Sequence, residues 1–280
     1  MSRKIIIGTA NFGCPYGIRK KKISKKKVID LCKFAYKKKV KYLDTSTEYF
    51  DSNKIVRNLN KKIIINTKIL PNKKWINMDY CLKQFKKIKY EIGNKKLNTI
   101  YLHDEKIIFK RYFKKIYYNL IYLRKKKHFN KLGISIYDFK TIDFFLKKFH
   151  FDTIQCPFNI FDQRLITKRY YRILKSKKIE IHARSIFLQG LLLNKKTFEL
   201  NNMIKLKKKI NFLHKFGKLN NMKVIDLCMT FVTKYKINKF IIGFDNLKNL
   251  KDVLNFKKIY KVDFKKFSIE DEKLIDPRYW

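Results

Sequence analysis

The sequence predicts an α/β fold, a (β/α)8 TIM barrel built as a single domain over residues 1–280. Three observations carry this. Eight short apolar runs alternate with longer segments of helical periodicity; the length of 280 residues suits eight strand–helix units; no Gly/Ser-rich linker or shift in composition divides the chain.

The elements follow in order. The strand runs are 4–9, 42–45, 63–67, 99–102, 132–135, 153–156, 180–184 and 240–242, rich in the β-branched Ile and Thr that favour extended backbone. Amphipathic helical segments lie between them at 24–38, 79–90, 111–127, 139–149 and 163–177. Ser24 is suited to cap the first of these. A longer helical stretch, 202–235, is expected to break near Gly217. A doubly wound sheet is the competing architecture, but Gly8-Thr9-Ala10-Asn11-Phe12-Gly13 after the first strand is neither a G-x-G-x-x-G turn nor a phosphate loop ending in G-K-[ST].

Composition bounds the function. With 45% hydrophobic and 15% aromatic residues the chain can bury a core, so disorder is excluded. No run reaches the roughly 18 apolar residues of a membrane span, and the start is too weakly apolar for a secretory leader, so a cytoplasmic protein is expected. The cysteines at 14, 32, 81, 156 and 228 show no metal-binding or CxxC spacing and are read as free thiols. The net charge of +47 invites a nucleic-acid reading. Its 59 lysines, however, are spread over nearly every helical segment, while Ile, Asn, Phe and Tyr are abundant and only three alanines occur. Codon bias explains this pattern better than a dedicated surface, and no specific nucleic-acid partner is expected. Against that bias only eight glycines survive where average usage would give roughly 20, so each marks a place where a side chain is poorly tolerated.

In a barrel the active site forms at the C-terminal strand ends. Asp44 ends the second strand, with Tyr49 in the loop beyond it; Lys68 ends the third; His103 ends the fourth. Singly, a strand-end Asp or Lys is an ordinary ion-paired loop residue, and a lone His an ordinary hydrogen-bonded one. Together they fit protonation of a carbonyl oxygen. A neighbouring ammonium eases loss of the tyrosine proton, a carboxylate holds the lysine in place, and a neutral imidazole orients the substrate oxygen. Such a reaction needs a hydride source that side chains lack.

These residues resemble the aldo-keto reductase family. The likeness runs through Gly8-Thr9-Ala10-Asn11-Phe12-Gly13, Leu43-Asp44-Thr45-Ser46-Thr47-Glu48-Tyr49, Asn66-Thr67-Lys68, Leu102-His103-Asp104, Gly133-Ile134-Ser135, Ile154-Gln155-Cys156-Pro157, the segment from Ile181 to Gly190, and Ile241-Ile242-Gly243. Cys14-Pro15-Tyr16-Gly17 and the segment from Arg184 to Leu193 resemble a bacterial branch associated with surface polysaccharides, which points to sugar-like substrates.

The resemblance implies a monomeric, metal-free enzyme that reduces an aldehyde or ketone, with Asp44, Tyr49, Lys68 and His103 as catalytic residues and Tyr49 as general acid. It implies NADP(H) rather than NAD(H) as cofactor. Ser135 and Gln155 would bind the carboxamide, Arg184 would lie against the nicotinamide, and Gly8, Thr9 and Asp44 would line the ribose region. Leu188 and Gly190 would approach the pyrophosphate, and Gly243 and Lys248 would flank the adenosine phosphate, with Asp245 adverse to an anion there. Ile136, Phe50 and Asn53 depart from the family pattern, and a catalytically idle barrel acting as a binding or scaffold protein is the alternative. Phe12, Phe158 and Phe187 are read chiefly as core, and His182 as structural.

Overall fold

Alternation along the strands decides which residues meet the helices and which meet the centre. In the second strand, for example, Leu43 joins the apolar core while its neighbour Asp44 does not. A computed structural model describes residues 1–12, 23–167, 169–194, 203–257 and 259–280. Gly13, the Cys14-Pro15-Tyr16-Gly17 run and the lysines at 20–22 lie outside the described residues, as does the side chain of Phe50.

The strands are β1 (Ile5–Gly8), β2 (Tyr42–Ser46), β3 (Ile64–Ile69), β4 (Lys96–Leu102), β5 (Lys131–Ser135), β6 (Thr153–Pro157), β7 (Glu180–Arg184) and β8 (Lys239–Ile242). They pair in parallel in chain order, and β8 closes on β1, forming the expected barrel. The surrounding helices are α1 (Lys25–Lys37), α2 (Phe50–Arg57), α3 (Met78–Glu91), α4 (Phe113–Lys125), α5 (Lys140–Lys148), α6 (Arg164–Thr167), α7 (Tyr170–Ser176), α8 (Ile204–Leu219), α9 (Val224–Thr233), α10 (Leu247–Leu254) and α11 (Glu272–Ile275). Ser24 caps α1, accepting from the Lys27 amide. β4 begins three residues earlier than its apolar run, and its register against β3 shifts at Ile65/Asn66, a bulge that sequence periodicity does not reveal.

One expected boundary moves. The helical stretch after β7 breaks at 220–223 rather than at Gly217, which lies inside α8. A Cβ at Gly217 would stand 2.7 Å from the Met222 carbonyl oxygen, so this glycine lets the α8–α9 turn fold back onto its helix. The segment 163–177 likewise divides into α6 and α7.

The outward-facing strand residues, among them Ile5, Ile7, Leu43, Ile65, Leu132, Ile134, Ile154, Ile181 and Phe240, pack against the helices in one apolar cluster. Phe12 and Phe158 belong to it, as expected. The alternate positions are unusually polar for a barrel interior. Tyr101 is wholly buried there, its hydroxyl 2.5 Å from His182 Nδ1; His182 Nε2 lies 3.3 Å from Glu180, and Glu180 pairs with Lys131 at 2.5 Å. This chain of partners accounts for His182 as a structural histidine. A Cβ at Gly133 would stand 2.6 Å from the Tyr101 ring, so the absence of a side chain on β5 is what admits that ring.

The polar stretch after β6 forms a latch. Asn159 donates to the Ser185 carbonyl and accepts from the Phe161 and Asp162 amides. Arg164, almost fully buried, joins Asp162 to Glu272 on α11 and so ties the C-terminal segment to the barrel. Of these residues only Ser185 borders the cavity at the strand ends. Cys32, Cys81, Cys156 and Cys228 are buried free thiols. No helix among the described residues is long and apolar enough to cross a membrane.

Candidate active site

A cavity of about 360 Å³ opens at the C-terminal ends of the strands. The register brings its chemistry together, with Asp44 beside Gly8 and Asn66, Lys68 beside Ser46 and Tyr101, and Ser135 beside Gln155. Asp44, Tyr49, Lys68 and His103 all border the cavity, as do Gly8, Thr9, Ser135, Gln155, Arg184, Gly190 and Gly243. Two expected residues do not. Leu188 is fully buried beneath the wall, and Lys248 is exposed on α10, where the helical phase presents Asn246 and Asn249 to the cavity instead.

At the centre, the Lys68 ammonium bonds Asp44 Oδ1 and the Gln155 amide donates to Asp44 Oδ2 at 2.8 Å. Both side chains of the ion pair are buried, so each charge depends on the other. The Lys68 ammonium lies 5.8 Å from the Tyr49 ring centre, and the Tyr49 and His103 rings meet edge to face at 6.2 Å.

The electrostatics of Tyr49 differ from the simple expectation. Burial pushes its phenol well above the ordinary value; Asp44 adds to the rise, and Arg184 is the cation that opposes it. Lys68 has its charge matched by Asp44, which blunts its pull on the phenol. A tyrosine so placed stays protonated and is able to donate. Burial, reinforced by Lys68, lowers His103 to about 4, so its imidazole is neutral at neutral pH.

Several supporting residues escaped the sequence reading. Ser46 Oγ accepts from the Glu48 amide at 3.2 Å and lies 3.2 Å from His103 Nδ1. A hydroxyl can accept there and at the same time donate to Nδ1, an arrangement in which the His103 proton sits on Nε2. The available signal was spacing, because Asp44 and Ser46 are two apart on one strand and share a face. Asn53 accepts from Thr45 Oγ1 at 2.7 Å and donates to the Ser46 carbonyl at 2.9 Å, while Ser52 Oγ donates to the carbonyls of Thr9 and Phe12. These bonds hold the loop carrying Tyr49 against β1 and β2. Tyr137 lies against two guanidinium groups, with Arg184 3.8 Å and Arg278 3.7 Å from its ring centre. Arg184 also donates to the Ile136 carbonyl, so Ile136, which departs from the family pattern, contributes through its backbone.

The wall after β7 stores backbone strain. Ser185, Leu188 and Gln189 have left-handed φ of 58°, 47° and 54°, followed by Gly190 at 87°. For non-glycine residues this costs on the order of 1 kcal/mol or more each, and such segments gather at functional sites. Phe187 and Gln189 face the cavity from it, so Phe187 belongs to the site as well as to the core.

The wall also fits a nicotinamide dinucleotide. Three residues that border the cavity each carry a buried oxygen without a hydrogen-bond partner, namely Gln155 Oε1, Thr9 Oγ1 and Asn11 Oδ1. They are acceptors, or can act as such, for amide and hydroxyl donors. Gly190 has no atom within 4 Å of where its Cβ would stand, leaving open space at the backbone for a phosphate to approach.

A barrel with this polar rim suits nicotinamide-dependent oxidoreduction. The family model for the Aldo/keto reductase family matches residues 4–275, and the chain belongs to that family. Among solved structures it is similar to an aldo-keto reductase of Bacillus halodurans in its holo form, at 14% identity and a TM-score of 0.75, covering 96% of this chain and 95% of that one. It is also similar to the glycerol dehydrogenase of Gluconobacter oxydans, at 16% identity and a TM-score of 0.69, covering 94% and 89%. A search of the curated proteins gives no match.

Proposed function

We propose that this protein binds a reduced nicotinamide dinucleotide along its cavity and reduces an aldehyde or ketone, with Tyr49 donating the proton. The observation that carries the reading is the placement of Tyr49, kept protonated by burial, in one cavity wall with Lys68 and His103. When bound, the dinucleotide supplies the hydride for the carbonyl carbon. Tyr49 gives its phenolic proton to the carbonyl oxygen. His103, neutral and with its proton on Nε2, donates a hydrogen bond that orients that oxygen. Asp44 holds Lys68 in place beside the phenol, and Arg184, the cation that opposes the rise in the Tyr49 pKa, stabilises the tyrosinate left after transfer.

Ser135 and the unpartnered Gln155 Oε1 would take the carboxamide, with Arg184 lying along the ring and Gly8 and Thr9 along the ribose. The single barrel would act as a monomer. Sugar-like aldehydes are the substrate class to test first, on the resemblance of the segment from Arg184 to Leu193. The assay supplies purified protein with each reduced dinucleotide and a panel of sugar and simple aldehydes. Oxidation of the dinucleotide that depends on the carbonyl supports the proposal. Tight dinucleotide binding with no turnover across the panel favours the idle barrel instead.

A further inference from the structure

The end of the cavity remote from Tyr49 is built differently from what the family resemblance implies. Both cations on the cavity wall among the described residues, Lys68 and Arg184, stand at the Tyr49 end. Lys68 is held by Asp44, and Arg184 by the Ile136 carbonyl and the Tyr137 ring. After β8 the wall is formed by Asp245, Asn246 and Asn249, with no Lys or Arg among the described residues there.

Asp245 is fixed in place. The Asn11 amide donates to its Oδ1 at 3.1 Å and to the Phe244 carbonyl at 3.3 Å. With its amide engaged, buried Asn11 has an Oδ1 without a partner, and that atom lies 4.0 Å from the Cβ position of Gly243. Both residues border the cavity, one of them as a carboxylate, and neither has a side-chain donor left to offer. Such a pair is complementary to two hydroxyl donors and repels an anion.

We infer that Asp245 and Asn11 receive the vicinal diol of the adenosine ribose, and that the protein selects NAD(H) over NADP(H). The inference rests on the proposed binding of a dinucleotide in this cavity. A 2′-phosphate would replace one hydroxyl donor by a dianionic acceptor beside Asp245, losing a hydrogen bond and adding like-charge repulsion. The net charge of +47 favours the more anionic dinucleotide at long range. That field is screened beyond about 8 Å at physiological ionic strength, whereas the carboxylate acts at contact, so the local term decides.

The test is calorimetric titration of wild-type protein, Asp245→Asn and Asp245→Arg with NADH and NADPH at about 0.15 M salt. Asp245 is exposed and near-isosteric with Asn, and thermal unfolding of each variant checks the fold. Wild-type protein is expected to bind NADH roughly tenfold or more tightly than NADPH, the scale of one lost hydrogen bond plus local repulsion. Asp245→Asn narrows that ratio by strengthening NADPH, and Asp245→Arg reverses it. Equal or tighter binding of NADPH to wild-type protein overturns the inference while leaving the dinucleotide site standing. So does an Asp245→Asn variant that weakens both dinucleotides equally. Failure of both to bind overturns the reading of the cavity itself, and this inference with it.

Discussion

Gln155 on β6 reaches across the barrel mouth to donate its amide to Asp44 on β2 at 2.8 Å, and its other amide atom, Oε1, is left buried without a partner. One end of the side chain thus steadies the Asp44–Lys68 pair, while the residue itself borders the cavity in which the carboxamide is proposed to lie. Gln155→Leu removes both polar ends. Dinucleotide affinity is expected to fall roughly fivefold, the worth of one hydrogen bond, with a lower melting temperature from the under-satisfied carboxylate. Titration followed by thermal unfolding separates the two effects, and unchanged affinity would argue against the carboxamide contact.

The Asp44–Lys68 pair is buried on both sides. Lys68→Met leaves a carboxylate without its cation and is expected to cost about 3–5 kcal/mol in denaturant unfolding. Adding Asp44→Asn should recover part of that loss, because the second change removes the stranded charge. Strict additivity of the two costs would show that the charges are independent.

His103 titrates at about 4 in the folded chain against an ordinary value of about 6.5. The unfolded chain therefore binds the proton more readily, and stability, full above about pH 6.5, falls as the pH drops toward 4. From pH 7 to pH 5 this amounts to about 2 kcal/mol, and buried His182, also lowered, acts in the same direction. His103→Gln should flatten the acid limb measured by urea unfolding. An identical limb would mean that His103 is as easily protonated folded as unfolded.

Tyr49 is raised by burial and by Asp44, so its proton is retained through the neutral range. The rate of carbonyl reduction at saturating substrate should show no decline from phenol ionisation below about pH 10. A basic limb centred near pH 8 would contradict this.

At Gly133 the limit is steric. A Cβ there would approach the Tyr101 ring at 2.6 Å and Thr153 Cγ2 at 2.9 Å. Gly133→Ala is expected to destabilise the barrel by about 1–3 kcal/mol, read by denaturant unfolding.

The parts of the molecule legible in the sequence are those written with a short period. Short apolar runs alternating with helical segments predicted the barrel, and the strand ends then located Asp44, Lys68 and His103. What was not legible depends on loops folding back. Ser52 and Asn53 bind backbone some distance away in the chain, and Arg278 reaches Tyr137 from the C-terminal segment. The direction of the Tyr49 shift also lay beyond the sequence. It depends on how deeply the ring is buried and on Asp44 claiming the Lys68 charge, both set by packing.

The account turns on the Tyr49 hydroxyl. The most direct test is a single-turnover measurement, in which Tyr49→Phe preloaded with reduced dinucleotide is mixed with a carbonyl that the wild-type protein reduces. The account predicts dinucleotide affinity close to wild type and a transfer rate lowered at least roughly a hundredfold, the scale of general acid catalysis. Transfer at the wild-type rate would show that the proton comes from elsewhere.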